Sequence, residues 1–245
     1  MLLEYSTWCE VEDYLKTRKD IIIPIGSTEQ HGPMGLIGTD FICPEVLANG
    51  VSKRQNVLIA PTIKFGMSQH HLSFPGTISL RPTTIIALIK DVSLSLMSHG
   101  FTHLFFLNGH GGNIASINAA FSEIYAEHSF SKKASPLHFH LCNWYDGNRV
   151  KALSSKYFKD KEGSHATPSK LSLSFYAHPD VIKNVELSHE VYPDTKFRDS
   201  ADFKNKYPDG RMGSDSSLAS IDIGKELFEE ALEDILEVYE RFIQQ

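Results

Sequence analysis

Cysteine is scarce: Cys9, Cys43 and Cys142 are the three in 245 residues, too few and too scattered for a disulfide framework. The odd count reads as reduced thiols, and the expected location is cytoplasmic. No stretch approaches the roughly 20 apolar residues of a membrane-spanning helix. The opening MLLEYSTW places Glu4 where a secretion signal would carry its apolar core. Positive charge is not in excess either. With 24 Lys and Arg against 30 Asp and Glu, the formal net charge of -6 argues against a general nucleic-acid or anionic-membrane binder. Linkers, internal repeats and low-complexity tracts are absent, so residues 1–245 are expected to form a single domain with a sizeable core.

What is present alternates between two periodicities. Thr7 to Glu10 has the form of a capping box, and Trp8, Val11, Tyr14 and Leu15 follow at helical spacing. Short apolar runs at Ile21–Ile25, Val57–Ala60, Phe101–Leu107 and Leu137–Cys142 read as buried strands. Helices are expected over Phe41–Val51, opened by Asp40, over Thr83–His99, after Asn113, and over Ile221–Phe242. The segment from Lys64 to Pro82 is long, polar and aromatic, which marks a functional loop with room for a hairpin around Pro75-Gly76. Lys151–Ser169 reads as charged turns, Leu171–Tyr176 as buried strand or helix, and Val185–Ser217 resists assignment.

Strands alternating with helices imply an α/β fold with a parallel sheet covered on both faces, whose ligands lie beyond the carboxyl ends of the strands. Polar residues gather at those ends. Glu29 and His31 follow the first strand, with Asp40 opening the next helix; His70 and His71 follow the second, His110 and Gly111 the third, and Trp144 the fourth. Two carboxylates and an imidazole around one strand end can cage a divalent ion. Each residue alone has an ordinary alternative. Asp40 can be a helix cap, His110 can fill a tight turn or the glycines around it cradle phosphate, and His165 can be a packed loop histidine.

Taken together the motifs are specific. Pro24-Ile25-Gly26-Ser27-Thr28-Glu29-Gln30-His31-Gly32-Pro33, Gly38-Thr39-Asp40, Asn108-Gly109-His110-Gly111-Gly112-Asn113 and His165-Ala166 give a chain that resembles the creatininase family of metal-dependent amidohydrolases. The resemblance implies a three-layer α/β/α sandwich with a mostly parallel central sheet, assembled as a homo-oligomer and often a hexamer. It implies Glu29, His31, Asp40 and His110 as metal ligands, with Asp40 able to bridge two ions, and His165 as proton shuttle. The ligand set would take one or two divalent ions, zinc first, with manganese or iron as alternatives. The expected activity is hydrolysis of a linear or cyclic amide C–N bond in a small polar molecule by metal-activated water. His70, His71, Gly111 and Trp144 are then candidates for contacting substrate.

Two departures stand out. Gly112 replaces the glutamate that creatininase itself carries two residues after the histidine matching His110, which argues against creatinine as substrate. Lys170 falls on a family glutamate that is a metal ligand. An ammonium roughly 4 Å from a divalent ion is repelled by about 8 kcal/mol at an effective dielectric near 20. Either Lys170 turns away, is neutral, or the site holds one ion or none; Glu162 is the candidate substitute acid. The alternative function is therefore a non-catalytic relative that keeps the pocket for ligand binding or assembly.

Overall fold

The structure, a computed structural model, describes every residue except His189. Its centre is a run of isoleucines. β1 (Asp20–Ile25) is buried at every position, and its side chains alternate between two cores. β1 pairs in parallel with β2 (Leu58–Ile59) on one side and β3 (His103–Asn108) on the other, and β3 pairs in parallel with β4 (His138–Asn143). The sheet order is therefore β2-β1-β3-β4, with the chain reversing its direction of travel between β1 and β3.

Helices cover both faces. Ile22, Phe105 and Leu107 pack beneath α2 (Thr39–Gln55), α6 (Pro168–Ala177) and α8 (Ile221–Phe242). Ile21, Ile23, Ile25, Leu104 and Phe106 pack beneath α3 (Pro82–Ser98) and α4 (Ile114–Phe130), with α1 (Trp8–Leu15) against the same core. This is the expected α/β/α sandwich. The capping box at Thr7 and Glu10 forms as predicted.

Three expectations are corrected or resolved. No hairpin forms around Pro75-Gly76: Ile78 bridges to Thr28 at the exit of β1, and Ser79 pairs with Gly66 of the same loop in parallel, not as the antiparallel arms of a hairpin. Lys151–Ser169, expected as charged turns, begins inside α5 (Asn148–Tyr157), whose N–H groups at Arg149 and Val150 donate to the Asp234 carboxylate of α8 at 2.9 and 3.1 Å. That cap comes from a residue far along the chain, so local sequence could not disclose it. Leu171–Tyr176 resolves as helix, in α6, and α7 (Ser200–Lys206) lies in the unassigned region, capped by Asp199.

Candidate metal centre at the sheet switch point

The carboxyl ends of β1 and β3 lie side by side, with Ile25 paired to Asn108. The reversal of strand order there leaves a crevice, the usual ligand position in open α/β sheets. Asn108 shapes the following turn: its side chain donates to the carbonyl of His110 at 2.7 Å and accepts the His110 N–H at 3.1 Å. Asp40 arrives from the first turn of α2. It is not the cap, which is Gly38. Pro44 has no N–H for the Asp40 carbonyl, so that carbonyl is free to lie against the turn after β3. Only glycine allows the approach, since a Cβ on Gly109 would stand 2.0 Å from the Asp40 oxygen and 2.8 Å from Pro44.

Glu29, His31 and Asp40 are completely buried, and His71, His110 and His165 nearly so. Glu29, His31 and Asp40 offer ligand atoms within 4.8 Å of one another, as do Glu29, His71 and His165. His110 Nδ1 joins the two carboxylates, 3.2 Å from Glu29 Oε1 and 2.8 Å from Asp40 Oδ2. It is close to both yet out of line for a hydrogen bond, and both oxygens are buried without a donor. Neighbouring ligands of a tetrahedral zinc, each at 2.0–2.1 Å, sit about 3.3 Å apart. Both His110 separations are close to that spacing, and the charge of a divalent ion held there would compensate the two orphaned oxygens.

The other face of each imidazole is already committed. His110 Nε2 donates to the Met67 carbonyl at 2.9 Å, His31 Nδ1 to the Glu29 carbonyl at 3.2 Å, and His165 Nε2 to the Gln30 carbonyl at 2.8 Å. A carbonyl can only accept, so His110 and His165 turn their remaining nitrogen inward, the arrangement that orients histidine toward a metal or a reacting atom, while the remaining nitrogen of His31 meets Asp40 Oδ1 at 3.1 Å. His71 differs. Its Nδ1 accepts from the Gln30 amide at 3.0 Å, and that amide is oriented by the Gly32 N–H and the Gly210 carbonyl. His71 therefore presents Nε2–H, 3.6 Å from Glu29 Oε1. Gly112 also has a local cause. A Cβ there would lie 2.3 Å from His110 Nε2 and 2.5 Å from the Met67 oxygen, breaking the bond that orients His110.

Charge follows burial and neighbours. Burial opposes Asp40's charge, but the Lys170 ammonium and His31 beside it hold the carboxyl well below the usual carboxylate range. Burial likewise disfavours charge on His110, but Glu29 and Asp40 outweigh it and push that imidazole up to about 10, so an ion bound at Nδ1 would displace a proton. His165 goes the other way, held far down by burial and then by His31. Burial opposes charge on Lys170 too, yet Asp40 raises its pKa and keeps it an ammonium. Lys170 thus neither turns away nor loses its proton: Nζ is 2.7 Å from Asp40 Oδ1.

A cavity of about 300 Å³ opens beside the cluster, lined by Gly111, Tyr145, Glu162 and Lys170 among others. Another cavity, of about 760 Å³, is lined by Met34, Lys161 and Arg211 among others; the smaller one is the one joined to the cluster, through Lys170, which is bonded to Asp40, and Gly111, which follows His110. Trp144 does not line the smaller cavity. It is buried in the core, and its neighbour Tyr145 faces the space, its hydroxyl without a partner. The His70 and His71 rings pack against each other at a tilt of 49°, and Phe203 packs against both, edge-on to His71. Glu162 is turned to the Ser169 hydroxyl, and burial raises its pKa. Sequence reasoning passed over Gln30, Ser68 and Tyr145; Gln30 lies inside the motif between Glu29 and His31, and Ser68, which donates to Glu29 Oε2, lies in the loop already marked as functional.

The fold and cluster define an α/β protein with a buried cation-ready site at its switch point. The chain belongs to the creatininase family, described as creatinine amidohydrolase, which matches residues 4–239. The mycofactocin precursor peptide peptidase of Mycobacterium ulcerans (strain Agy99) is 35% identical over 120 residues, 45% of this chain and 48% of that protein. The 3-dehydro-scyllo-inosose hydrolase of Thermotoga maritima is 32% identical over 166 residues, 66% of this chain and 49% of that protein. The chain thus spans about half the length of the curated relatives it matches. A mutant creatininase structure titled Zn-Zn type superposes with a TM-score of 0.81 over 98% of each chain at 23% identity, a likeness of fold.

Proposed function

We propose that the chain is a metal-dependent amidohydrolase acting on a linear or cyclic amide C–N bond of a small polar molecule. The observation that carries this is the pair of buried, donorless oxygens on Glu29 and Asp40 with His110 Nδ1 between them. Glu29, Asp40 and His110 would hold a divalent ion, with His31 within reach on the other lobe of Asp40. Zinc suits the mixed nitrogen and oxygen set, as do manganese and iron, and a creatininase of the same fold is titled for zinc. When bound, the ion supplies Lewis acidity and lowers the pKa of a coordinated water toward neutrality.

The chain's own residues do the rest. His165, fixed by its Nε2–H on the Gln30 carbonyl, offers Nδ1 at 3.7 Å from Glu29 Oε1, where it takes the proton of the attacking water. The water oxygen adds to the amide carbon, the C–N bond breaks, and Nδ1 returns the proton to the departing nitrogen. Ser214 and Ser216 hydroxyls bond the carbonyls of His165 and Ala166 at 2.6 Å each, and Ala166 holds a left-handed φ of 55°, so the imidazole sits on a fixed turn. A space of about 300 Å³, with Tyr145, Glu162 and Lys170 on its wall, suits a small polar substrate.

Family resemblance extends the reading to a cytoplasmic homo-oligomer; no described helix is long and apolar enough to cross a membrane. Light scattering on purified protein separates a hexamer from a monomer. For the activity, zinc- or manganese-loaded protein is assayed for amine release from a panel of small linear and cyclic amides. Release that disappears with chelator and in Glu29→Gln supports the reading; release that ignores both, or none from any member, contradicts it.

A further inference from the structure

Asp40 is fully buried, and its two oxygens face different company. Oδ2 looks to His110 and Glu29, whereas Oδ1 meets His31 Nε2 at 3.1 Å and Lys170 Nζ at 2.7 Å. We propose that this chain holds a single divalent ion, on the Glu29, Asp40 Oδ2 and His110 side, and that the Lys170 ammonium permanently takes the place on Oδ1 that a second ion would need. This rests on the metal-dependent reading above and sharpens it.

Three further observations agree. Lys170 stands in the first turn of α6, where the helix N-terminus disfavours a cation, so the carboxylate rather than the helix decides where this ammonium sits. Its side chain is only 12% exposed and lies 5.2 Å over the Tyr145 ring, and its backbone carbonyl receives the Cys43 thiol of α2, which fixes α6 against the helix carrying Asp40. Among the described residues Glu162 does not join Asp40 and His31 in a set of ligand atoms within reach of one ion; its Oε1 takes the Ser169 hydroxyl and its Oε2 is buried without a donor. One ammonium against the two carboxylates leaves a single negative charge, too little to hold two dications, and Coulomb repulsion keeps a second from Oδ1.

The test is a count. Full-length protein is stripped with chelator, reloaded with zinc, desalted, and measured by elemental analysis and native mass spectrometry. The wild type is expected to carry one zinc per chain and Lys170→Glu two. Two zinc ions on the wild type, or still one on a folded Lys170→Glu, overturns the inference and leaves the hydrolase reading standing. No zinc on either overturns both. Should Lys170→Glu fail to fold, anomalous scattering from zinc-loaded wild-type crystals decides: a single peak with Lys170 still on Asp40 supports the inference, and two peaks or a displaced lysine refute it.

Discussion

β1 carries a buried acidic cluster at each end, and the two are built on opposite terms. At the start, Asp20 is saturated: Arg18 donates to Oδ1 at 3.0 Å and to Oδ2 at 2.6 Å, and the Tyr239 hydroxyl adds a third bond. At the far end, Glu29 Oε1 and Asp40 Oδ2 are equally removed from water but receive no donor. Buried charge with every lone pair used is a clasp, here tying β1 to α8. Buried charge with lone pairs left over, and three imidazoles turned toward it, is a site prepared for something that comes from outside.

The sharpest way to break this contrast is to remove one carboxylate from each end. Asp40→Ala is expected to abolish ion binding and to reduce hydrolysis by at least about 10³-fold, since several kcal/mol of transition-state stabilisation go with the ion. His165→Gln should lower turnover by about 10²- to 10⁴-fold with ion content unchanged, the signature of proton transfer rather than coordination. Elemental analysis beside steady-state kinetics separates the two.

At the other end the effects fall on stability. Asp20→Ala leaves Arg18 and Tyr239 without their acceptor and should cost about 2–3 kcal/mol in denaturant unfolding, with activity per folded molecule and ion content unchanged. The pH dependence has a definite sign. Burial alone would raise the Asp20 pKa, but the hydrogen bonds from Arg18 and Tyr239 prevail and lower it from 3.8. The folded state therefore binds fewer protons than the unfolded state in that window, so the contribution is complete above 3.8 and is lost as pH falls through the depressed value. Asp20→Asn should flatten that acid limb of the stability curve. Smallest of all, Tyr239→Phe removes the hydroxyl's two hydrogen bonds, to Asp20 and from Arg18, and is expected to cost about 1–2 kcal/mol.

Much of the open site was legible because its residues follow strand ends directly. Glu29 and His31 come straight off β1 and His110 off β3, so motif and topology coincide. The closed cluster was not legible, because Arg18 and Asp20 look ordinary until Tyr239 is brought over from the last helix. Asp234 capping α5 is the same lesson, a helix start supplied from elsewhere in the chain. Trp144 marks the limit in the other direction. Sequence placed it on the rim with the fourth strand, but one residue decides which side chain turns outward, and Tyr145 is the one facing the cavity. Lys170 could be recognised as a misfit from its position alone; that it would answer Asp40 instead of avoiding the site required the coordinates.

The central claim is that the two ends of β1 differ in their capacity for a cation. Calorimetric zinc titration of chelator-stripped wild type, Asp40→Ala and Asp20→Ala tests it directly. The account predicts saturable binding to the wild type and to Asp20→Ala and none to Asp40→Ala. A wild type that takes up no zinc, or an Asp40→Ala variant that binds as the wild type does, would contradict it.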